Sequence, residues 1–137
     1  MASFILTFQT KQIMKLTIAT GILFAFISIL FGALGSHALK PTLVERQAVE
    51  SFQIARDFTM YHGLALILLG ILLHLFPTIK FNYVAIAFVV GSIFFQGVIF
   101  TKSFVDVGKF GIFNPIGGSI LFLGWIYFFY LVVRHLK

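Results

Sequence analysis

Few side chains in this sequence could carry chemistry, and each stands in or beside a long apolar run. His37 closes one run and His62 lies in the first turns of the next, near the same end. Two facing imidazoles could ligate a metal or a haem, or relay protons. At a membrane interface, however, imidazoles often just hydrogen-bond to headgroups, water or a neighbouring loop. No metal-spaced cluster accompanies the pair, so neither a metal nor a cofactor is expected. His74 and His135 fall toward the opposite end, with no specific role. Gln96 is the most polar side chain well inside the third run, where its amide needs a partner from another helix; structural glue is its expected role. Asn114 precedes Pro115 and is expected to cap a helix. His37, His62, Gln96 and Asn114 are therefore the candidate polar cluster.

Other catalytic arrangements are missing from the pattern. There are no paired carboxylates, no nucleophile constellation and no phosphate-binding glycine loop. The 137 residues include no cysteine, which excludes disulfides, thiolate catalysis and Cys-ligated zinc or iron–sulfur sites. The apolar runs contain no Asp, Glu, Lys or Arg, which argues against a coupled ion pump. Arg56 and Asp57 adjoin the second run where water reaches, and an exposed ion pair there would carry little energy. No enzyme is expected.

The elements that must position these residues follow from composition. Hydrophobic residues make up 60% of the chain and charged residues only 10%, against roughly a quarter charged in an ordinary soluble domain. So short a chain cannot hide that much apolar surface in its own interior, and the surplus must face lipid. The net charge is +6, but Lys and Arg stand singly at the ends of apolar runs, a pattern suited to lipid headgroups and not to nucleic acid. Leu16–Ser36 and Phe81–Thr101 are each 21 residues without a formal charge, and Phe58–Phe76 and Pro115–Val133 are each 19. At about 1.5 Å per residue, each covers the roughly 30 Å hydrocarbon core as a helix. Pro77 stops the second run. Trp125, Tyr127 and Tyr130, followed by Arg134 and Lys137, read as interfacial anchors closing the fourth.

The expected fold is all-α, a polytopic four-transmembrane-helix bundle with spans at about 16–36, 58–76, 81–101 and 115–133. Residues 14–137 form a single membrane domain, and residues 1–13 an N-terminal extension lying on the membrane surface. The first run exceeds the roughly 7–15 apolar residues of a cleaved signal. Between spans 1 and 2, Thr42 and Glu45 read as a capping box, which predicts an amphipathic helix from Leu43 toward Arg56 that runs into span 2. Val44, Ala48, Phe52 and Ala55 share one face of it, with Glu45, Arg46, Glu50 and Gln53 off that face.

In span 1, Gly21, Ala25, Ser28, Gly32 and Gly35 recur at spacings of four, three, four and three. Such a seam of small residues lets helix backbones approach closely in lipid. Gly63 and Gly70, Ala87 and Gly91, and Gly117 and Gly124 offer matching faces. Packing inside the bundle is their expected use, with a homo-oligomer or a membrane-protein partner beyond it. Four spans place both termini on one side. The Lys and Arg count is five against five, and the termini are read as cytoplasmic.

Four segments taken together carry a resemblance: Gly32-Ala33-Leu34-Gly35-Ser36-His37, Tyr61-His62-Gly63-Leu64-Ala65-Leu66, Phe95-Gln96-Gly97, and Asn114-Pro115-Ile116-Gly117-Gly118 leading to Gly124-Trp125. In order and spacing they resemble the uncharacterised bacterial inner-membrane family of the YgdD and YwdK type, over Met14 to about Arg134. The resemblance implies a four-span protein of about this length, with eukaryotic relatives and no assigned function. His37 and His62 match that family's pattern. Asn114 stands where it usually has Thr, Phe58-Thr59 where a Tyr-Gln pair is common, and Gln96 to Phe100 where a Ser-Gly-Ser-Leu-Tyr stretch is common. The expected role is structural or in assembly, through helix packing and partner binding. The alternative is a small transporter or channel subunit for a small solute or ion, which requires Gln96, His37 and His62 to face a water-filled cavity. A further alternative is a haem- or quinone-associated protein.

Overall fold

The computed structural model describes residues 2–135, with side chains described from residue 11 onward. The order of elements is α1 (Ala2–Ser36), α2 (Lys40–Glu45), α3 (Val49–Leu75), α4 (Phe81–Lys102), a 3₁₀ turn (Gly108–Ile112) and α5 (Phe113–His135). Among the described residues, four segments are long and apolar enough to cross a membrane: Lys11–Ser36, Val49–Leu75, Phe81–Lys102 and Gly108–His135. In hydrocarbon a helix satisfies its own backbone, so even the Val- and Ile-rich third run is helical. Residues 2–13 are continuous with α1, without a break at Met14. Lys137, expected as a closing anchor, lies outside the described residues.

The segment between the first two spans corrects the expectation of one helix from Leu43 toward Arg56. Thr42 sits inside α2, not at its cap, and Glu45 is that helix's last residue. The Ala48 amide donates to Leu43 O at 2.8 Å and the Gln47 amide to Val44 O at 3.0 Å, while Gln47 takes a left-handed φ of 51°. This pair of bonds around a left-handed residue is the Schellman ending of a helix, made here with glutamine where glycine is usual. The hydrophobic contact that accompanies the motif is present, because Leu43 and Ala48 join one buried cluster with Phe52. A second helix then starts at Val49 and runs without interruption through Arg56 and Asp57 into the span. Val44 falls off the expected shared face and is 57% exposed.

Neighbouring helices run antiparallel. α1 packs on α3, α3 on α4 and α4 on α5, while α1 and α5 make no contact with each other among the described residues. Close backbone approach sets the first and last of these pairings. A methyl added to Gly21 would sit 2.6 Å from Gly63 O, and one on Gly63 would sit 2.9 Å from the Ala25 amide nitrogen. Further along α1, Ser28 Oγ donates to Arg56 O at 2.9 Å, Gly32 lies against the Arg56 side chain, and Gly35 takes the Phe52 ring. On the other side of the molecule Gly117 meets the α4 backbone at Phe94 and Phe95, Gly91 meets Leu121, and Gly124 meets the Phe88 ring. Outside these seams Ile22, Leu23, Phe26 and Ile29 on α1, and Phe122, Leu123, Ile126 and Phe129 on α5, stay exposed. Such surfaces belong in lipid.

Two glycines separate packing from propensity. Gly63→Ala is expected to lower detergent stability by about 1–3 kcal/mol, because the neighbour its methyl meets is backbone and cannot yield. Gly97, around which a methyl would meet nothing within 4 Å, is expected to tolerate Ala or gain up to about 1 kcal/mol from helix propensity. Thermal unfolding followed by circular dichroism checks both.

Candidate functional site

Polar side chains from α4 and α5 converge on His62 of α3. Because α3 begins at Val49, this histidine stands at the helix midpoint and not in its first turns, and it is 2% exposed. Its Nδ1 lies 2.8 Å from Phe58 O of its own helix. Trp125 on α5 donates from Nε1 to His62 Nε2 at 3.2 Å, and Gln96 on α4 places an amide atom 3.4 Å from Nδ1. The same Gln96 group lies 3.2 Å from Ser92 Oγ, one turn earlier on α4. Aromatic rings close around the cluster, with Phe88 edge-on to the imidazole at 5.1 Å and Phe58 at 6.0 Å.

Donor and acceptor roles follow from which atoms can change them. An indole N–H only donates, so Nε2 of His62 is the acceptor and Nδ1 carries the hydrogen toward Phe58 O. That hydrogen also faces Gln96, where an oxygen suits it and an NH₂ does not. Amide orientation is assigned from the hydrogen-bond network, and turning the group over places Oε1 toward His62. Whichever way the amide stands, its other polar atom is buried without a partner; with Nε2 toward His62, that atom is Oε1. Gln96 is thus half satisfied, and a buried orphan of this kind costs about 1–3 kcal/mol.

The remaining candidates separate from this cluster. His37 lies exposed in the turn between α1 and α2. His62 shares its level on α1 with the Phe24–Ala25 region through Gly63, about 12 residues or roughly 18 Å of helix from His37. The two imidazoles do not face each other. Among the described residues no three of His, Cys, Asp or Glu gather as metal ligands. Asn114 is not a cap: α5 begins at Phe113, and Asn114 Nδ2 donates to Phe95 O on α4 at 3.1 Å. Pro115 sits within the first turn, where a missing amide costs nothing. Arg56 and Asp57 form a half-exposed ion pair, with Arg56 Nε 2.9 Å from Asp57 Oδ1.

Trp125 and Ser92 are the members that the sequence reading missed. Trp125 was expected as an interfacial anchor, yet it lies near the middle of α5 and turns its indole inward to His62. Its distance from Asn114, about 16 Å at helical rise, was the available signal. Ser92 lies four residues before Gln96 and therefore on the same helix face. Tyr130 keeps the anchoring role, accepting from Arg134 Nη1 at 2.9 Å.

Residues 31–118 match the family described as Protein of unknown function (DUF423). The chain is 32% identical over 113 residues to a UPF0382 membrane protein of Staphylococcus aureus (strain bovine RF122 / ET3-1), covering 82% of this chain and 91% of that one. It is 31% identical over 124 residues to a UPF0382 membrane protein of Staphylococcus epidermidis (strain ATCC 12228 / FDA PCI 1200), covering 90% and 98%. No solved structure matches.

A double-mutant cycle with His62→Leu and Trp125→Phe is expected to give a coupling of about 0.5–2 kcal/mol in detergent unfolding, the range for hydrogen bonds between membrane helices. Gln96→Met, which keeps the shape and removes the orphaned atom, is expected to cost under about 1 kcal/mol or to stabilise.

Proposed function

This chain belongs to the DUF423 family, a family of unknown function with membrane-protein members, and from that premise we propose that it serves as a rigid helical scaffold in the membrane and catalyses no reaction. The observation that carries the reading is where the buried polar groups go. Ser28 ties α1 to α3, Trp125 and Gln96 tie α5 and α4 to His62 on α3, and Asn114 ties α5 to α4. Each polar contact between spans locks one helix against another, as groups in hydrocarbon must when no water is at hand.

A transporter would hold Gln96 and His62 toward water. Both are 2% exposed and enclosed by aromatic rings, which favours the scaffold. A bis-histidine haem would need His37 and His62 together, and they stand apart. The outer faces of α1 and α5, which do not pack on each other, are the surfaces available to a second copy or to another membrane protein. We place the protein in the bacterial inner membrane as a multi-pass protein with both termini cytoplasmic.

The absence of native cysteine makes the test direct. With single cysteines at Ser92, Gln96 and His37 in intact membranes, a water-soluble thiol reagent is expected to label position 37 and to leave 92 and 96 unmodified. Rapid labelling at 92 or 96 would expose a water-filled path and defeat the scaffold reading.

A further inference from the structure

A recess of about 390 Å³ opens at the end of the molecule that carries α2, lined by Arg46, Gln47, Ser51, Lys102 and Asn114 among others. Five elements build it: the left-handed turn at Gln47, the first turn of α3, the C-terminal end of α4, the 3₁₀ turn and the start of α5. None of its lining residues is a carboxylate. Among the described residues the sole ion pair is Arg56 with Asp57, so the charges of Arg46 and Lys102 are uncommitted. Glu45 and Glu50, near Arg46 in sequence, and Asp106, four residues after Lys102, are exposed and lie outside the lining. Ala48 gives the first amides of α3 no side-chain cap, and that positive helix end is offset by the exposed Glu50 in its first turn.

The flanks of the recess set its depth. Val44 on α2 is 57% exposed, and Phe110 and Ile112, on either side of the lining residue Gly111, are 70% and 64% exposed. Large apolar side chains beside a basic recess, at the ends of membrane spans, belong in the interfacial layer where lipid phosphates lie.

We propose that this recess is a phosphate-binding site, filled from the bilayer by the headgroup of an acidic phospholipid that Arg46 and Lys102 hold between them. A guanidinium and an ammonium in one recess give a phosphate both a forked donor and a point charge. The proposal does not rest on the scaffold role, since it uses neither His62 nor Gln96.

The test uses the full chain in detergent micelles doped with equal amounts of phosphatidylglycerol and phosphatidylcholine, with retained lipid counted by native mass spectrometry. The unmodified protein is expected to retain phosphatidylglycerol several-fold over phosphatidylcholine. Arg46→Gln with Lys102→Gln is expected to bring that ratio close to one, while Lys15→Gln with Lys80→Gln, an equal loss of charge at the other membrane face, leaves it unchanged. Arg46→Gln alone should show a partial loss should the double variant unfold, with helix content read by circular dichroism. Inorganic phosphate serves as the competing arm. Displacement of the lipid would show that the site reads the phosphate group whatever its source, and failure to displace it would assign the site to lipid alone; both support the proposal. Equal retention of the two lipids by the unmodified protein, an unchanged ratio in the Arg46 and Lys102 variants, or the same loss in the control pair would overturn it.

Discussion

Inside a bilayer a polar group finds no water, and every peptide unit and side-chain donor must be met by protein. That single constraint shapes the molecule. It makes each apolar run a helix whatever its β propensity, and it turns the few buried polar side chains toward one another. His62 shows the consequence at one residue: one ring nitrogen is met by its own helix and the other by Trp125 from α5. Gln96 shows the limit, because one of its amide atoms finds no partner.

The same solvent removes the usual reason for helices to associate, since lipid tails are as apolar as leucine. Contact between spans therefore relies on closeness. Where Gly21 faces Gly63, and where Gly117 faces the backbone at Phe94 and Phe95, the helices approach to distances that exclude even a methyl group. α3 and α4 meet differently, through rings: Phe52 with Phe100, and Phe58 with Phe95. The helices at the ends of the row, α1 and α5, keep broad apolar faces outward because nothing among the described residues covers them.

Much of this was legible in the residues. Span number and helical state follow from the length of the uncharged runs, because bilayer thickness and helix rise leave one count. The start of α3 was not legible. Cutting the span at Asp57 follows charge, whereas the helix extends past the hydrocarbon and carries Arg56 and Asp57 as a neighbouring pair. That misplaced start is what set His62 near an interface and beside His37. The break at Gln47 was hidden for another reason: the left-handed position of a Schellman ending is announced by glycine, and here a glutamine adopts it. Trp125 was misassigned by residue type, since tryptophan is commonest at interfaces, and only its depth along α5 gave the alternative.

The arrangement at His62 makes a direct spectroscopic demand. In lipid bilayers, the nitrogen-15 solid-state spectrum of imidazole-labelled His62 should show a hydrogen on Nδ1 and an unprotonated Nε2, with magnetisation passing from the Trp125 indole N–H to that Nε2. Neither the Nδ1 hydrogen of His62 nor the indole hydrogen of Trp125 should exchange readily with D₂O. A hydrogen on Nε2, no transfer from Trp125, or rapid exchange with solvent would contradict the claim that these buried polar groups are spent on one another.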